Sequence, residues 1–309
     1  MITKKVLIFG ASGQIGRYCI RRLIRNNYKV IAVTRNTHQK GYILKTQAPI
    51  GYLDIEQASI LDEERIYQLI SNVDICINLI GILFEKGKAD TFYKIHKEFP
   101  DRISRICKQK NVDLIHVSAL ALDNAIDSKY AQSKIKGEIK VRENFDRATI
   151  IKPSIIFSVD DKLSTRFMGL LSLFPIFPLY YNGATKFTPI HAADVAELIF
   201  HVISKEIISK DIEAIGPEIL TFKEIIQILS KCIKKKRLLI PMPLFLAKIS
   251  SIFFQLFPNP LLTLDQLRLL KYDNIKSKNG ITNFDIGCPS KLYFEESVLK
   301  YSFNYAEGG

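Results

Sequence analysis

The chain has 309 residues, 47% hydrophobic and 24% charged, enough to bury a large core as one extended domain or two small ones. Five dispersed cysteines (Cys19, Cys76, Cys107, Cys232, Cys288) include no CxxC pair, so neither a disulfide framework nor a zinc site is expected. The formal charge of +13 comes from lysines spread along the whole chain without a nucleic-acid motif. This favours a solvated basic surface, or attraction to an acidic membrane or partner, over nucleic-acid binding.

The first element, Val6–Phe9, is an apolar strand, and Ile15–Asn26 follows as a helix with Ile15, Cys19 and Leu23 in one stripe facing a sheet. The joint reads VLIFGASGQIG. Gly10 lets the chain turn sharply, Gly13 leaves no side chain between backbone and a bound phosphate, and Gly16 lets the helix pack closely on the strand. The free N–H groups and positive dipole end of the helix suit the pyrophosphate of a dinucleotide. Gly10, Ser12, Gly13, Gln14, Ile15 and Gly16 are therefore the first candidate cofactor-binding residues.

Strand Val30–Thr34 ends in VIAVTRN, with no carboxylate to bond an adenosine ribose 2′-hydroxyl and with Arg35 in that place. A guanidinium pairs with a phosphate through two parallel charge-assisted bonds, so Arg35 favours NADP(H), with NAD(H) left open. Further along, helices are expected at Glu63–Ser71, Thr91–Gln109 and Tyr130–Glu143, and strands at Ile75–Ile80, Leu114–Ser118 and Thr149–Ile151. The alternation predicts an α/β fold: a Rossmann-type doubly wound parallel sheet over residues 1–160, with helices on both faces. After Pro153 the pattern loosens. Residues 163–181 are apolar and broken by Pro175 and Pro178, and helices follow at Asp194–Ser204 and Phe222–Lys231. Residues 161–309 are expected to form a smaller, mostly helical region over the cofactor cleft, with 185–204 returning to the core.

Leu244–Phe257 is a further helical stretch in which Lys248, Ser251 and Gln255 share one narrow stripe and almost everything else is Leu, Ile or Phe. Such a helix is about 21 Å long, too short to cross a bilayer, and no apolar run reaches about 18 residues. It reads either as a buried lid or as an interfacial surface facing lipid, a hydrophobic ligand or a partner. The preceding KCIKKKR (Lys231–Arg237) suits an anionic membrane surface.

In SKYAQSKIKGE, Tyr130 and Lys134 lie four apart on one helical face, and Ser118 ends the strand of IHVSALAL twelve residues upstream. A phenol near pKa 10 exchanges protons near neutrality only beside a cation. A strand serine followed by YxxxK, behind an N-terminal glycine turn, resembles the short-chain dehydrogenase/reductase superfamily in its extended, atypical branch. That resemblance implies Tyr130 as general acid/base and Lys134 as the group that lowers its pKa and bonds the nicotinamide ribose. It implies Ser118 as the residue orienting a substrate carbonyl. The family's tetrad asparagine is not evident; FYKIHKEF puts His96 near its place. The acidic motif after the third strand reads ASILD (Ala58–Asp62). NLIG resembles the loop under the cofactor, adding Leu79, Ile80 and Gly81. IKPSIIFS resembles the strand end beside the nicotinamide, adding Pro153, and TPIHAADVA (Thr188–Ala196) resembles the segment before a late helix.

Together with PNPLLTLDQLRLLKYDN (Pro258–Asn274), these motifs resemble the nucleotide-binding accessory subunits of respiratory complex I and their bacterial relatives. The resemblance implies a tightly held NADPH with a structural role and partners among complex I subunits or quinone-related proteins. It implies a cytoplasmic location, peripheral on the inner face of a bacterial inner membrane, or on the matrix side of a mitochondrion. The first strand starts within five residues of Met1, so no targeting leader is expected. The alternative is a working NADP-dependent oxidoreductase, epimerase or dehydratase using Tyr130 and Lys134 on a hydrophobic or nucleotide-linked substrate.

Overall fold

The computed structural model describes residues 4–306 except 162, 256–259 and 261, so Pro258, Asn259 and Leu261 of the C-terminal motif lie outside the described residues. Six strands alternate with helices through the first half: β1 (Lys5–Phe9), β2 (Lys29–Thr34), β3 (Leu53–Gln57), β4 (Ile75–Asn78), β5 (Asp113–Val117) and β6 (Thr149–Pro153). All pair in parallel in the order β3-β2-β1-β4-β5-β6, and strands Asp211–Ala214 and Ile281–Thr282 extend the sheet beyond β6. The order reverses between β1 and β4, and the crevice at that switch point is where such sheets bind ligands.

The helices are α1 (Gln14–Ile24), α2 (Thr37–Lys45), α3 (Glu63–Ile70), α4 (Phe99–Lys110), α5 (Lys129–Asn144), α6 (Ser164–Leu173), α7 (Ala192–Ser204), α8 (Phe222–Cys232), α9 (Leu244–Phe254), α10 (Leu264–Leu269), α11 (Phe294–Leu299) and α12 (Phe303–Ala306). A π-helical turn, Tyr93–Glu98, leads into α4. In β1 the side chains alternate between the two faces of the sheet. Val6 and Ile8 join Cys19 and Leu23 of α1 and Val195 and Ile199 of α7; Leu7 and Phe9 join Ile66 of α3, Phe99 and Ile103 of α4 and Val141 of α5. A third core, around Phe157, Phe222, Ile226 and Phe294, holds the C-terminal elements together.

Three elements carry too little pattern to be read from sequence. β3 (LDIEQ) has no fully buried residue, α2 buries only Gly41 and Leu44, and the Asp211–Ala214 strand is four residues long. The expected strand Ile75–Ile80 stops at Asn78, because the chain must leave the sheet there to form the floor of the switch-point crevice.

Gly16 is where α1 meets the turn below it: a Cβ there would lie 2.4 Å from the Ala11 carbonyl oxygen and 2.7 Å from its carbon. The neighbour is backbone and cannot swing aside. Gly16→Ala is expected to destabilise the fold by about 1–3 kcal/mol, measured as a lower urea midpoint at unchanged m-value.

Candidate functional site

The switch-point crevice begins at the glycine turn. Gly10 has φ +81°, a left-handed conformation, and a Cβ there would come within 3.1 Å of the Leu79 carbonyl carbon and 3.3 Å of the Ile80 nitrogen. The turn closes when the Gly13 N–H donates to the Gly10 carbonyl at 3.0 Å. Gly13 then caps α1 with no side-chain bond, and the first turn carries no acidic residue, so the positive end of the helix is left for an external anion. Ser12 and Ile15 flank it half-buried. The Gln14 Nε2 is buried without a hydrogen-bond partner among the described residues, a donor that a bound phosphate or ribose oxygen would satisfy. These residues fit a dinucleotide pyrophosphate. Arg17, one turn on, pairs with Asp160 across the crevice, a contact that nothing in the local sequence announces.

Arg35 follows β2 directly and is 66% exposed, with no carboxylate at the end of its own strand. Its guanidinium pairs at 2.6 Å with Asp90, which lies in the loop before the π turn. The neighbouring Asn36 caps α2 by accepting from the Gln39 N–H, and Gln57 at the end of β3 accepts from Thr37.

Helix α5 supplies the opposite wall. Its N-cap Ser128 accepts from the Ala131 N–H, and Tyr130, Lys134 and Glu138 recur at four-residue spacing on one face. Lys134 is buried and its Nζ donates to the Val117 carbonyl at 3.2 Å. A Cβ on Gly81 would lie 3.3 Å from that Nζ, so the NLIG loop lies directly against the amine. Burial lowers the Lys134 pKa to about 8, with Glu138 opposing the shift. Tyr130 moves the other way: burial first, then the Glu138 charge, push it up to about 12, so the phenol stays protonated at neutral pH.

His96 comes into this group from the π turn. It stacks on Phe92 and stands edge-on to Tyr130 at 5.3 Å between ring centroids. Its Nε2 accepts from the Ile82 N–H at 3.1 Å, which leaves Nδ1–H to donate to the Ser133 hydroxyl at 2.8 Å. A Cβ on Gly137 would fall 1.9 Å from the His96 carbonyl oxygen, so α5 and the π turn meet through bare backbone. Ser118 lies just past β5 and is directed elsewhere: its hydroxyl donates to Glu138, which also pairs with Lys152 at 2.8 Å. Pro153 ends β6 and accepts at its carbonyl from the Leu120 N–H at 2.9 Å. The structure thus gathers Gly81, His96, Tyr130 and Lys134, and holds Ser118 against Glu138, which is one helical turn beyond Lys134 on α5.

The C-terminal motif has a part in this site that its sequence does not disclose. Asp265, at the start of α10, accepts from the Ser128 hydroxyl at 2.8 Å, the Lys129 N–H at 2.8 Å and the Tyr130 N–H at 2.9 Å. One carboxylate from 135 residues away thus satisfies the free amide end of the helix that carries Tyr130 and Lys134. Asn274, at the end of the motif, donates to the Leu120 carbonyl at 2.8 Å and accepts from the Ser154 hydroxyl at 2.6 Å, joining the ends of β5 and β6. Asp265→Ala is expected to lower stability by about 1–2 kcal/mol through the lost cap, and to weaken dinucleotide retention in the same protein; melting and nucleotide binding measure the two.

Burial, with Lys134 as the second cause, lowers His96 to about 2 and His116 to about 3 from the ordinary 6.5. Below about 6.5 the unfolded chain therefore takes up protons that the folded chain refuses, and stability falls with pH by about 1.4 kcal/mol per unit for each imidazole. His96→Asn is expected to remove one such contribution, flattening the decline in urea-unfolding free energy between neutral pH and pH 4.

The sequence model described as the NAD dependent epimerase/dehydratase family matches residues 6–216. The chain is 26% identical over 284 residues to the mitochondrial NADH-ubiquinone oxidoreductase 40 kDa subunit of Neurospora crassa, covering 91% of this chain and 74% of that one. It is 28% identical over 306 residues to the mitochondrial NADH dehydrogenase [ubiquinone] 1 alpha subcomplex subunit 9 of Dictyostelium discoideum, covering 97% and 85%. Among solved structures, dTDP-glucose 4,6-dehydratase DesIV of Streptomyces venezuelae, with NAD and TYD bound, superposes with a TM-score of 0.72 at 17% identity, covering 98% of this chain and 97% of that one. With a glycine cradle at the sheet's switch point, a Tyr-Lys helix beside it and the family pattern spanning two thirds of its length, the chain belongs to the NAD dependent epimerase/dehydratase family.

Proposed function

We propose that this chain holds NADPH as a structural ligand in an accessory subunit of a respiratory, quinone-reducing complex. The observation that carries this reading is the contrast between the two ends of the crevice. The phosphate end keeps its turn, its open helix terminus and an unpartnered amide donor. At the chemical end, Ser118 is engaged by Glu138 and the Tyr130 phenol is held at about 12. Relatives matching nearly the whole chain bear the names of respiratory NADH dehydrogenase subunits, which supports the setting. Within it, the α1 terminus and Gly13 hold the pyrophosphate and Gln14 donates to it. Arg35 exchanges Asp90 for the 2′-phosphate, and Leu79–Gly81 runs beneath the dinucleotide. Lys134 and Pro153 would hold the nicotinamide ribose end. When bound, the nicotinamide would supply hydride chemistry.

One observation favours a second reading, a working oxidoreductase, epimerase or dehydratase. Lys134 is held at about 8 on the same helical face as Tyr130, a cation placed to assist a proton exchange.

Tyr130→Phe separates the two. A structural ligand predicts unchanged NADPH retention and unchanged recovery with native membranes, whereas an enzyme loses turnover by about two or more orders of magnitude. Arg35→Ala is expected to lower NADPH affinity about tenfold while leaving NADH unchanged, and Asp90→Asn to raise NADPH affinity by freeing the guanidinium. Calorimetry showing the unmodified protein to bind NADH more tightly than NADPH would overturn the Arg35 assignment.

A further inference from the structure

Helix α9 presents large apolar side chains to the outside. Among its described residues the buried side chains are small ones, Ala247 and Ser251, both 0% exposed. Among the described side chains the bulky apolar ones face outward: Phe245 is 63% exposed and Ile249 61%, with Leu244, Leu246 and Ile252 beside them. An ordinary surface helix does the reverse, burying its Leu, Ile and Phe stripe. The polar stripe expected from sequence is split accordingly, with Ser251 buried and Lys248 exposed.

Outward apolar residues also occur on the strand that leads into the helix and on its pairing partner. Strands Ile176–Leu179 and Leu238–Pro241 pair in parallel with Leu238 opposite Ile176, and Leu238, Ile240 and Ile176 are all exposed, as are Leu173 and Phe174 at the end of α6. Along the segment entering this strand, residues 234, 236, 238 and 240 alternate outward, two lysines followed by Leu and Ile. The lysines line a basic groove of about 620 Å³ that also takes in Lys223, Lys231, Lys235 and Arg237. Lys231 is paired with Glu295, and Arg237 and Lys235 reach the carbonyls of Leu171 and Ser172 at the α6 terminus, while Lys223, Lys234 and Lys236 are exposed. No acidic residue occurs between Glu224 and Asp265 in the sequence.

We propose that this face docks on a membrane surface rich in anionic lipid. The lysines of the groove lie among the headgroups, and the outward residues of α9 and of the Leu238–Pro241 strand lie at the acyl boundary. Charge complementarity selects this occupant: an anionic bilayer presents negative charge and apolar depth in the same order as the cations and apolar residues follow along the chain. No helix among the described residues is long and apolar enough to cross a membrane, and α9 spans about 16 Å, a length suited to lying in the interface. This surface is separate from the dinucleotide crevice, so the inference goes beyond the proposed function and does not depend on it.

The chain contains no tryptophan, so Phe245→Trp places a single reporter on the face. The purified full chain is mixed with phosphatidylcholine vesicles, with or without phosphatidylglycerol. Co-sedimentation with the anionic vesicles alone is expected, weakened by salt, with a blue-shifted Trp emission quenched by brominated acyl chains. Lys234→Glu with Lys236→Glu, and separately Phe245→Ser with Ile249→Ser, should each lower vesicle affinity at least about tenfold while leaving melting and NADPH binding unchanged. Equal binding to neutral vesicles, or no binding, overturns the proposal. So does inhibition by inorganic phosphate with no effect of the apolar substitutions, which would mark an anion site. A dimer dissolved by those substitutions, without vesicle binding, would assign the face to a second copy. A failure on vesicles leaves NADPH retention as a separate measurement, so the two readings fall independently.

Discussion

The backbone approach in the crevice between the turn after β1 and the end of β4 sets the spacing of what is built around it. Gly10 lies so near Leu79 and Ile80 that a side chain there would push the β4 exit loop away from the turn. The same loop carries Gly81 onto the Lys134 amine on its other side. Two walls of the crevice are therefore spaced by the absence of side chains, and the phosphate end and the chemical end are set by one loop of four residues. The contact of Gly10 with Leu79 and Ile80 is between main chains, so no rotamer change can relieve a side chain added there.

A second dependence runs through α5. Helices begin with unsatisfied amides, and in most cases a neighbouring side chain within a few residues meets them. Here the local cap, Ser128, shares the task with Asp265 from α10. The C-terminal region is thereby tied to the orientation of Tyr130 and Lys134, and Asn274 repeats the device at the ends of β5 and β6. The first turn of the helix that carries Tyr130 and Lys134 is thus held by a carboxylate from the C-terminal region. Glu138 adds to this arrangement: burial first and then its charge raise Tyr130, and its carboxylate accepts from the Ser118 hydroxyl.

Helix α9 illustrates the limits of composition. Its residues were equally compatible with a lid packed into the protein and with an outward interface. The distinction lay in which stripe met the body of the protein, and the small residues Ala247 and Ser251 did so. Small inward residues allow close approach at little apolar gain, and they leave the large side chains to find burial elsewhere.

Much of the fold and half of the site were legible from the residues alone, because they depend on short-range rules. The glycine turn, the apolar β1, the stripe of α1 and the Tyr-Lys pair are defined within a few positions, and strand–helix alternation leaves few topologies. β3 and α2 escaped notice since each buries few side chains and has little periodic pattern to display. The sequence determined on its own that a glycine turn joins β1 to α1 and that Tyr130 and Lys134 share a helical face. Tertiary structure alone decided that Ser118 turns to Glu138, that Asp90 meets Arg35, that Asp265 caps α5 and that α9 faces outward. Each of those outcomes joins positions far apart in the chain or rests on which of two faces is covered, and neither quantity is written in any local stretch of residues.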